Sequence, residues 1–140
     1  MNKPYLSILF FSAVLSCSLA KAQAVVVIVN NGVKATEVST DELRDVFTGD
    51  KSSLHDGSKV TPVTLKGGAA HEAFLKAYVG KGDAAYRTAW RSLVFAGQGS
   101  MPKTFDTESA MVDYVAATPG AIGYVAKGTE HEKVKTLTVK

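Results

Sequence analysis

The sequence predicts an α/β fold, in which strands and helices alternate and pack in layers. Three observations carry that reading. Val25 to Val29 is an unbroken β-branched run, the pattern of a strand buried on both faces in a sheet covered by helices. Four later segments carry apolar residues at helical spacing. Short β-type runs alternate with those segments, and alternation of this kind calls for helices layered on a sheet.

The first strand ends at Asn30-Asn31-Gly32. Ser39, followed three residues on by Glu42, forms a capping-box pattern. Leu43, Val46 and Phe47 then continue as one helix face, and Gly49 stops it. Asp56-Gly57 marks a turn, and Val60 to Leu65 is the second strand. Pro62 places that strand at an edge or marks its start, because proline donates no ladder hydrogen bond. Lys66-Gly67-Gly68 breaks it. A helix follows from about Ala70 to Val79, with Gly80 as its stop. Asp83 caps the next helix, whose Tyr86, Ala89, Trp90, Leu93 and Val94 form one apolar stripe before Gly97. A polar loop leads to Thr107, and Ala110, Met111, Tyr114 and Val115 mark a fourth helix. Pro119-Gly120 turns the chain into a strand over Ala121 to Val125, and a last strand lies within Val134 to Val139.

The first two dozen residues read differently. A positive start at Lys3 precedes an uncharged apolar stretch from Tyr5 to Leu19, and Ala20-Lys21-Ala22 follows. Small residues three apart after such a stretch form a signal-peptidase pattern, and the stretch is short for a bilayer span. The expectation is a signal peptide over 1–22, a domain over 23–140 and a periplasmic location. Cys17, after Val14-Leu15-Ser16, offers an alternative lipid attachment point. Cys17 is the one cysteine, so residues 23–140 hold no disulfide, thiolate metal site or cysteine nucleophile. Without Lys3 and Lys21 the balance is 14 basic to 13 acidic residues, well mixed along the chain. No basic stripe predicts nucleic acid as a partner. No second long apolar run predicts a membrane span.

One segment carries chemistry. At Lys66-Gly67-Gly68-Ala69-Ala70-His71 a strand ends, two glycines turn the chain, and a helix begins. The first amides of a helix have no partner within it and carry the positive end of its dipole. Glycines let an anion approach those amides, and Lys66 adds a full charge. His71, in the first turn, is either a further donor or a solvent-facing helix residue. The segment is neither a P-loop nor a dinucleotide fingerprint.

The order of these pieces resembles the phosphate-type solute-binding proteins. Leu43-Arg44-Asp45-Val46-Phe47-Thr48-Gly49-Asp50-Lys51 resembles that family's Ile-Phe-x-Gly-Lys segment. Leu54-His55-Asp56-Gly57 and Val60-Thr61-Pro62-Val63 stand where it has Trp-x-Asp-Gly and Val-x-Pro-Val. Lys66 through Phe74 occupy the place of an Arg-x-x-x-Ser-Gly-Thr helix start. Trp90, Phe95-Ala96-Gly97 and Thr118-Pro119-Gly120-Ala121-Ile122-Gly123-Tyr124-Val125 complete the match over residues 25–126. Short, stand-alone phosphate ABC transporter substrate-binding-like proteins are the most similar members.

The resemblance implies a single periplasmic-binding-protein-like lobe, with a mixed sheet flanked by helices. It implies phosphate or a similar oxyanion as ligand and an ABC permease, porin or sensor as partner. Lys66, Gly67, Gly68, Ala69, Ala70 and His71 would line the site, with Thr48 and Gly49 as a second wall and Gly123 and Tyr124 near the cleft. The family's serine and threonine hydroxyls and its arginine are absent. Each charged hydrogen bond lost is worth about 1.5–3 kcal/mol, so weak binding is expected. The alternative is a non-catalytic protein-interaction module that kept the fold and lost the ligand.

No serine or cysteine stands in a nucleophile elbow. His55, His71 and His131 lie far apart, and Glu130-His131-Glu132 puts neighbouring side chains on opposite sides of an extended chain. The reading is therefore not an enzyme, with no cofactor and no metal.

Overall fold

The computed structural model describes residues 24–140. Its centre is a six-stranded mixed sheet, built from β1 (Val25–Val29), β2 (Glu37–Val38), β3 (Thr61–Leu65), β4 (Lys103–Phe105), β5 (Ala121–Ala126) and β6 (Lys135–Val139). The spatial order is β2-β6-β1-β5-β3-β4. β1 runs antiparallel to both β5 and β6, while β3 is parallel to β5 and to β4. The expected signal peptide and Cys17 lie outside the described residues.

The helices are α1 (Thr40–Thr48), α2 (Ala69–Phe74), α3 (Asp83–Phe95) and α4 (Glu108–Ala117). α2 runs on as one π-helical turn, Leu75–Val79, and Gly80 ends it in the left-handed conformation. Helices cover both faces of the sheet, as two consecutive residues of β5 show. A Cβ on Gly123 would meet the sulfur of Met111 in α4 at 2.8 Å. The next residue, Tyr124, points to the opposite face, as period two requires. There its ring stacks on Phe74 of α2 at 3.9 Å between centroids, and Phe47 of α1 packs edge-on against both. Every residue of β5 is buried, so this strand is the middle of the core.

Most expected elements are present. β2 and β4 are additions: two and three residues are too short to show a period, and β4 lies in what reads as a polar loop. β4 also covers the outer side of β3, so Pro62 marks the strand's start and not a sheet edge. Gly82, not Asp83, occupies the N-cap of α3. Of the α3 stripe only Tyr86 and Trp90 are buried. Both donate to one carbonyl, that of Phe47, from the Tyr86 hydroxyl at 2.7 Å and the Trp90 indole at 2.9 Å.

Those two bonds press α3 against the end of α1, and Gly49 allows the close approach. Its φ is +85°, and an added Cβ would lie 2.7 Å from Leu93 and 3.0 Å from Trp90. Gly57 has a similar φ of +87° with open space around it. Replacing Gly57 with Ala therefore isolates the backbone penalty, about 1–2 kcal/mol. Gly49→Ala adds overpacking of about 1–3 kcal/mol. Urea unfolding should show Gly49→Ala as clearly the more destabilising; equal midpoints would refute the packing account.

Candidate functional site

Beyond the carboxyl end of β3 the chain turns through Lys66, Gly67 and Gly68 into α2. In open sheets that contain parallel strands, this end is where ligands settle. Gly68 has φ +96° and caps α2 without any side-chain hydrogen bond. Neither Gly67 nor Gly68 has a heavy atom within 4 Å of an added Cβ, so the turn faces open solvent. The first intrahelical bond here runs from the Glu72 amide to the Gly68 carbonyl at 3.1 Å. Among the described residues, the amides of Gly67, Gly68, Ala69, Ala70 and His71 meet no protein acceptor. Lys66 is exposed at the rim, where its ammonium lies 3.2 Å from Asp106.

His71 does not face solvent, and its ring does not face the turn. It is 1% exposed, and both ring nitrogens are engaged inside the fold. Nδ1 meets the Tyr124 hydroxyl, and Nε2 lies 2.7 Å from an Asp83 carboxylate oxygen. The Tyr124 hydroxyl also accepts from the Leu65 amide at 3.0 Å. A hydroxyl that accepts there has its own proton free for Nδ1. Nε2–H then donates to Asp83, and this tautomer satisfies every member. Arg87 completes the chain: its Nε lies 3.0 Å from both Asp83 oxygens, and its Nη2 donates to the Lys66 carbonyl at 2.7 Å. The hydrogen-bonded path leaves β3 at Leu65, runs through α2 and α3, and returns to the chain at Lys66, the first residue of the turn.

The electrostatics agree with a built-in support. Burial alone would raise the Asp83 carboxyl, but hydrogen bonds from Arg87 and His71 outweigh it and hold the group below the ordinary aspartate value. Burial drives the Tyr124 hydroxyl well above the usual tyrosine range, so it stays protonated and can donate. Burial likewise pushes Tyr86 up to about 12.

The other expected site residues lie elsewhere. Thr48 spends its hydroxyl proton on the Arg44 carbonyl at 2.7 Å. It lines a hollow with Arg44, Lys81 and Ser92 that includes none of residues 67–71. Gly49 is the C-cap packed against α3. The structure does not bring this pair to the Gly-Gly turn. Gly123 is a packing glycine beneath Met111, and Tyr124 lies directly under the turn. Asp83 and Arg87 were absent from the expected set, although their i,i+4 spacing on a helix was a readable sign of pairing.

No protein-family model matches the chain, and no curated protein matches it in sequence. Solved structures do match in fold. PstS from Borrelia burgdorferi superposes with a TM-score of 0.64 at 15% identity, over 84% of this chain and 47% of its own. A Clostridium perfringens protein, described as a phosphate ABC transporter substrate-binding protein and holding bound phosphate, gives 0.63 at 16% identity, over 82% and 44%. An ABC-type phosphate transport receptor from Vibrio cholerae gives 0.53 at 16%, over 82% and 45%. The chain spans less than half the length of the structures it matches.

Two outcomes follow from the support. Tyr124→Phe strands the Leu65 amide and costs about 1–3 kcal/mol. In a double-mutant cycle with His71→Gln, the two changes should couple by about 0.5–3 kcal/mol; strict additivity would mean that the path is not one unit. Because its folded pKa is depressed, the contribution of Asp83 is full above the ordinary aspartate value and is lost as pH falls through the folded one. The stability gap between the wild type and Asp83→Asn should therefore narrow in acid, below about pH 4. A gap constant from pH 7 to pH 3 would contradict this. The fold of this chain is that of the phosphate-type substrate-binding proteins, with a supported, solvent-open Gly-Gly turn at the carboxyl end of its parallel strands.

Proposed function

We propose that this chain is a small periplasmic solute-binding module that takes phosphate or a similar oxyanion weakly, at the turn between β3 and α2. One observation carries the proposal: five consecutive backbone amides, Gly67 to His71, have no protein acceptor among the described residues, beside Lys66 and at a turn whose Gly67, Gly68 and Ala69 are exposed. Fixed N–H groups at the positive end of a helix are complementary to an oxyanion. The match in fold to a structure that holds phosphate supports the choice of ligand class.

Affinity is set by what surrounds the amides. Among the described residues no second wall closes over the turn, and a solvated anion interacts several-fold more weakly than a buried one. Lys66 supplies a point charge, in place of a planar fork, and shares it with Asp106. Hydrogen bonding to fixed amides is the mechanism, with no chemistry done on the ligand. Delivery to or sensing by an ABC permease or sensor is the role this would serve.

A second reading is a protein-interaction module that contacts a porin, permease or sensor and has lost its ligand. It is favoured by the commitment of the His71 ring to Tyr124 and Asp83, which removes one donor from the turn.

Amide NMR of residues 23–140 separates the two. Phosphate, against sulfate as control, should give saturable shifts centred on Gly67 to His71 at millimolar concentration. Lys66→Ala should weaken them several-fold without a change in stability, since an exposed ion pair contributes about 0–1 kcal/mol. Shifts that are only salt-like up to about 10 mM, the weak limit set by the missing donors, would overturn the binding reading.

A further inference from the structure

The sequence holds one Asn-Gly step, Asn31-Gly32, and the fold sets it at the corner where β1 hands over to the next segment. A glycine after an asparagine has no side chain to screen its backbone nitrogen, which can then reach the asparagine side-chain carbon. Asn31 and Gly32 are both exposed, at the centre of a turn closed by the Val33 amide, which donates to the Asn30 carbonyl at 3.0 Å. The register of β1 on β6 pairs Val29 with Lys135. Two residues beyond that pair, a side chain continues the ladder: Asn31 Nδ2 donates to the Lys133 carbonyl at 3.0 Å. Next to it, Lys135 Nζ donates to the carbonyls of Val33 and Lys34 at 2.8 and 3.2 Å. The corner is therefore held to the entry of β6 by side chains alone.

Asn30 keeps the corner closed. Its Nδ2 donates to the Val115 and Ala116 carbonyls at the end of α4, at 2.9 and 3.1 Å. That fixes its side-chain oxygen, which accepts from the Gly32 amide at 2.9 Å. The Gly32 nitrogen has to lose its proton before it can attack anything, and in the closed fold Asn30 covers that proton. The Asn31 side chain is tied to Lys133 in the same state and is not free to swing onto the nitrogen that follows it. Asn30 itself is buried and precedes an asparagine, so the same chemistry does not reach it.

We propose that Asn31 is a site of spontaneous covalent modification whose rate is set by the opening of this corner. When the turn opens, hydroxide takes the Gly32 amide proton and the nitrogen attacks Cγ of Asn31. The Cγ–Nδ2 bond breaks, and ammonia leaves with a proton returned by water. Water then opens the succinimide ring at either carbonyl, which gives aspartate or isoaspartate at position 31. Water and hydroxide are the only co-reactants, and nothing is oxidised or reduced. The product has an acceptor where the amide donor stood. It meets the Lys133 carbonyl with no proton to share, so the tie to the entry of β6 does not re-form. The inference is independent of the anion site.

The test uses residues 23–140, within which the sheet and the core are complete. The chain is incubated in mildly basic buffer, both folded and unfolded in guanidinium chloride. Peptide mapping with fragmentation follows the conversion of amide to acid. The change should map to Asn31, as two separable products, and run at least about tenfold more slowly in the folded chain. Hydrogen exchange at the Gly32 amide, gated by the same opening, should be slowed by at least about tenfold against the unfolded rate. Asn31→Gln, a surface change, should remove the rapid conversion in guanidinium. The modified chain, separated by its added negative charge, should exchange its amides faster from Lys133 to Lys135 than the unmodified chain does. Equal rates in the folded and unfolded chains overturn the proposal. So do conversion at Asn30 in place of Asn31, no conversion in either state, or unchanged exchange at the entry of β6 after modification.

Discussion

The hydroxyl of Tyr124 is the point through which this fold holds its candidate site in place. It is fully buried, and a buried hydroxyl without partners would cost a substantial part of the stability of a domain this small. Both of its roles are filled, by the Leu65 amide and by His71. The Leu65 amide belongs to the last residue of β3, and His71 to the first turn of α2. One oxygen thus ties the end of a strand to the start of the next helix, across the two glycines that separate them. Asp83 and Arg87 extend the tie to α3 and back to the Lys66 carbonyl.

This arrangement explains how so flexible a turn is positioned. Two glycines carry high conformational entropy, and Gly68 adopts a φ that other residues rarely take. No side chain caps α2. The hydrogen bonds that order the segment come from beneath, so the upper side keeps its amides bare. A polar path anchored on the buried Tyr124 and His71, with unpaired amides in the turn, forms a shape suited to an anion, because the donors need no rearrangement to receive it. The same economy leaves the charge of Lys66 at the rim, where water competes for it.

β5 is the element that joins the two faces of the domain. Gly123 admits Met111 of α4 on one side, and Tyr124 stacks on Phe74 and Phe47 on the other. A side chain at 123 would push α4 away from the sheet. A shift of register by one residue would exchange the two, placing the tyrosine under α4 and its hydroxyl far from Leu65. The antiparallel pairing of all five β1 residues with β5 holds that register. α3 lies at the side of this core, joined to it by Tyr86 and Trp90, which donate to one carbonyl of α1, and to the turn by Asp83 and Arg87. A helix that buries two of its thirteen residues leaves most of its surface for other contacts.

The alternation of strands and helices, the caps at Ser39 and Gly49, and the Gly-Gly junction were legible in the sequence. Each depends on residues one to four positions apart, and such neighbours are fixed by covalent geometry. The likeness of the fold to phosphate-type binding proteins was legible for a related reason: the order of its turns and strands is preserved in Thr118 to Val125 and the segments before it. The strands β2 and β4 were not, because two or three residues carry no period. Nor was the burial of His71, whose partner Tyr124 lies 53 residues away. Helical spacing put Val94 in the stripe of Tyr86 and Trp90, and only the packing of α3 on α1 left it and Phe95 uncovered. The sequence by itself determined the longer strands, the helices and the turns between them. Which side chains meet under the turn, and which stay bare at the tip of α3, was decided by the tertiary structure, since those partners are set by strand register and helix docking over long separations in the chain.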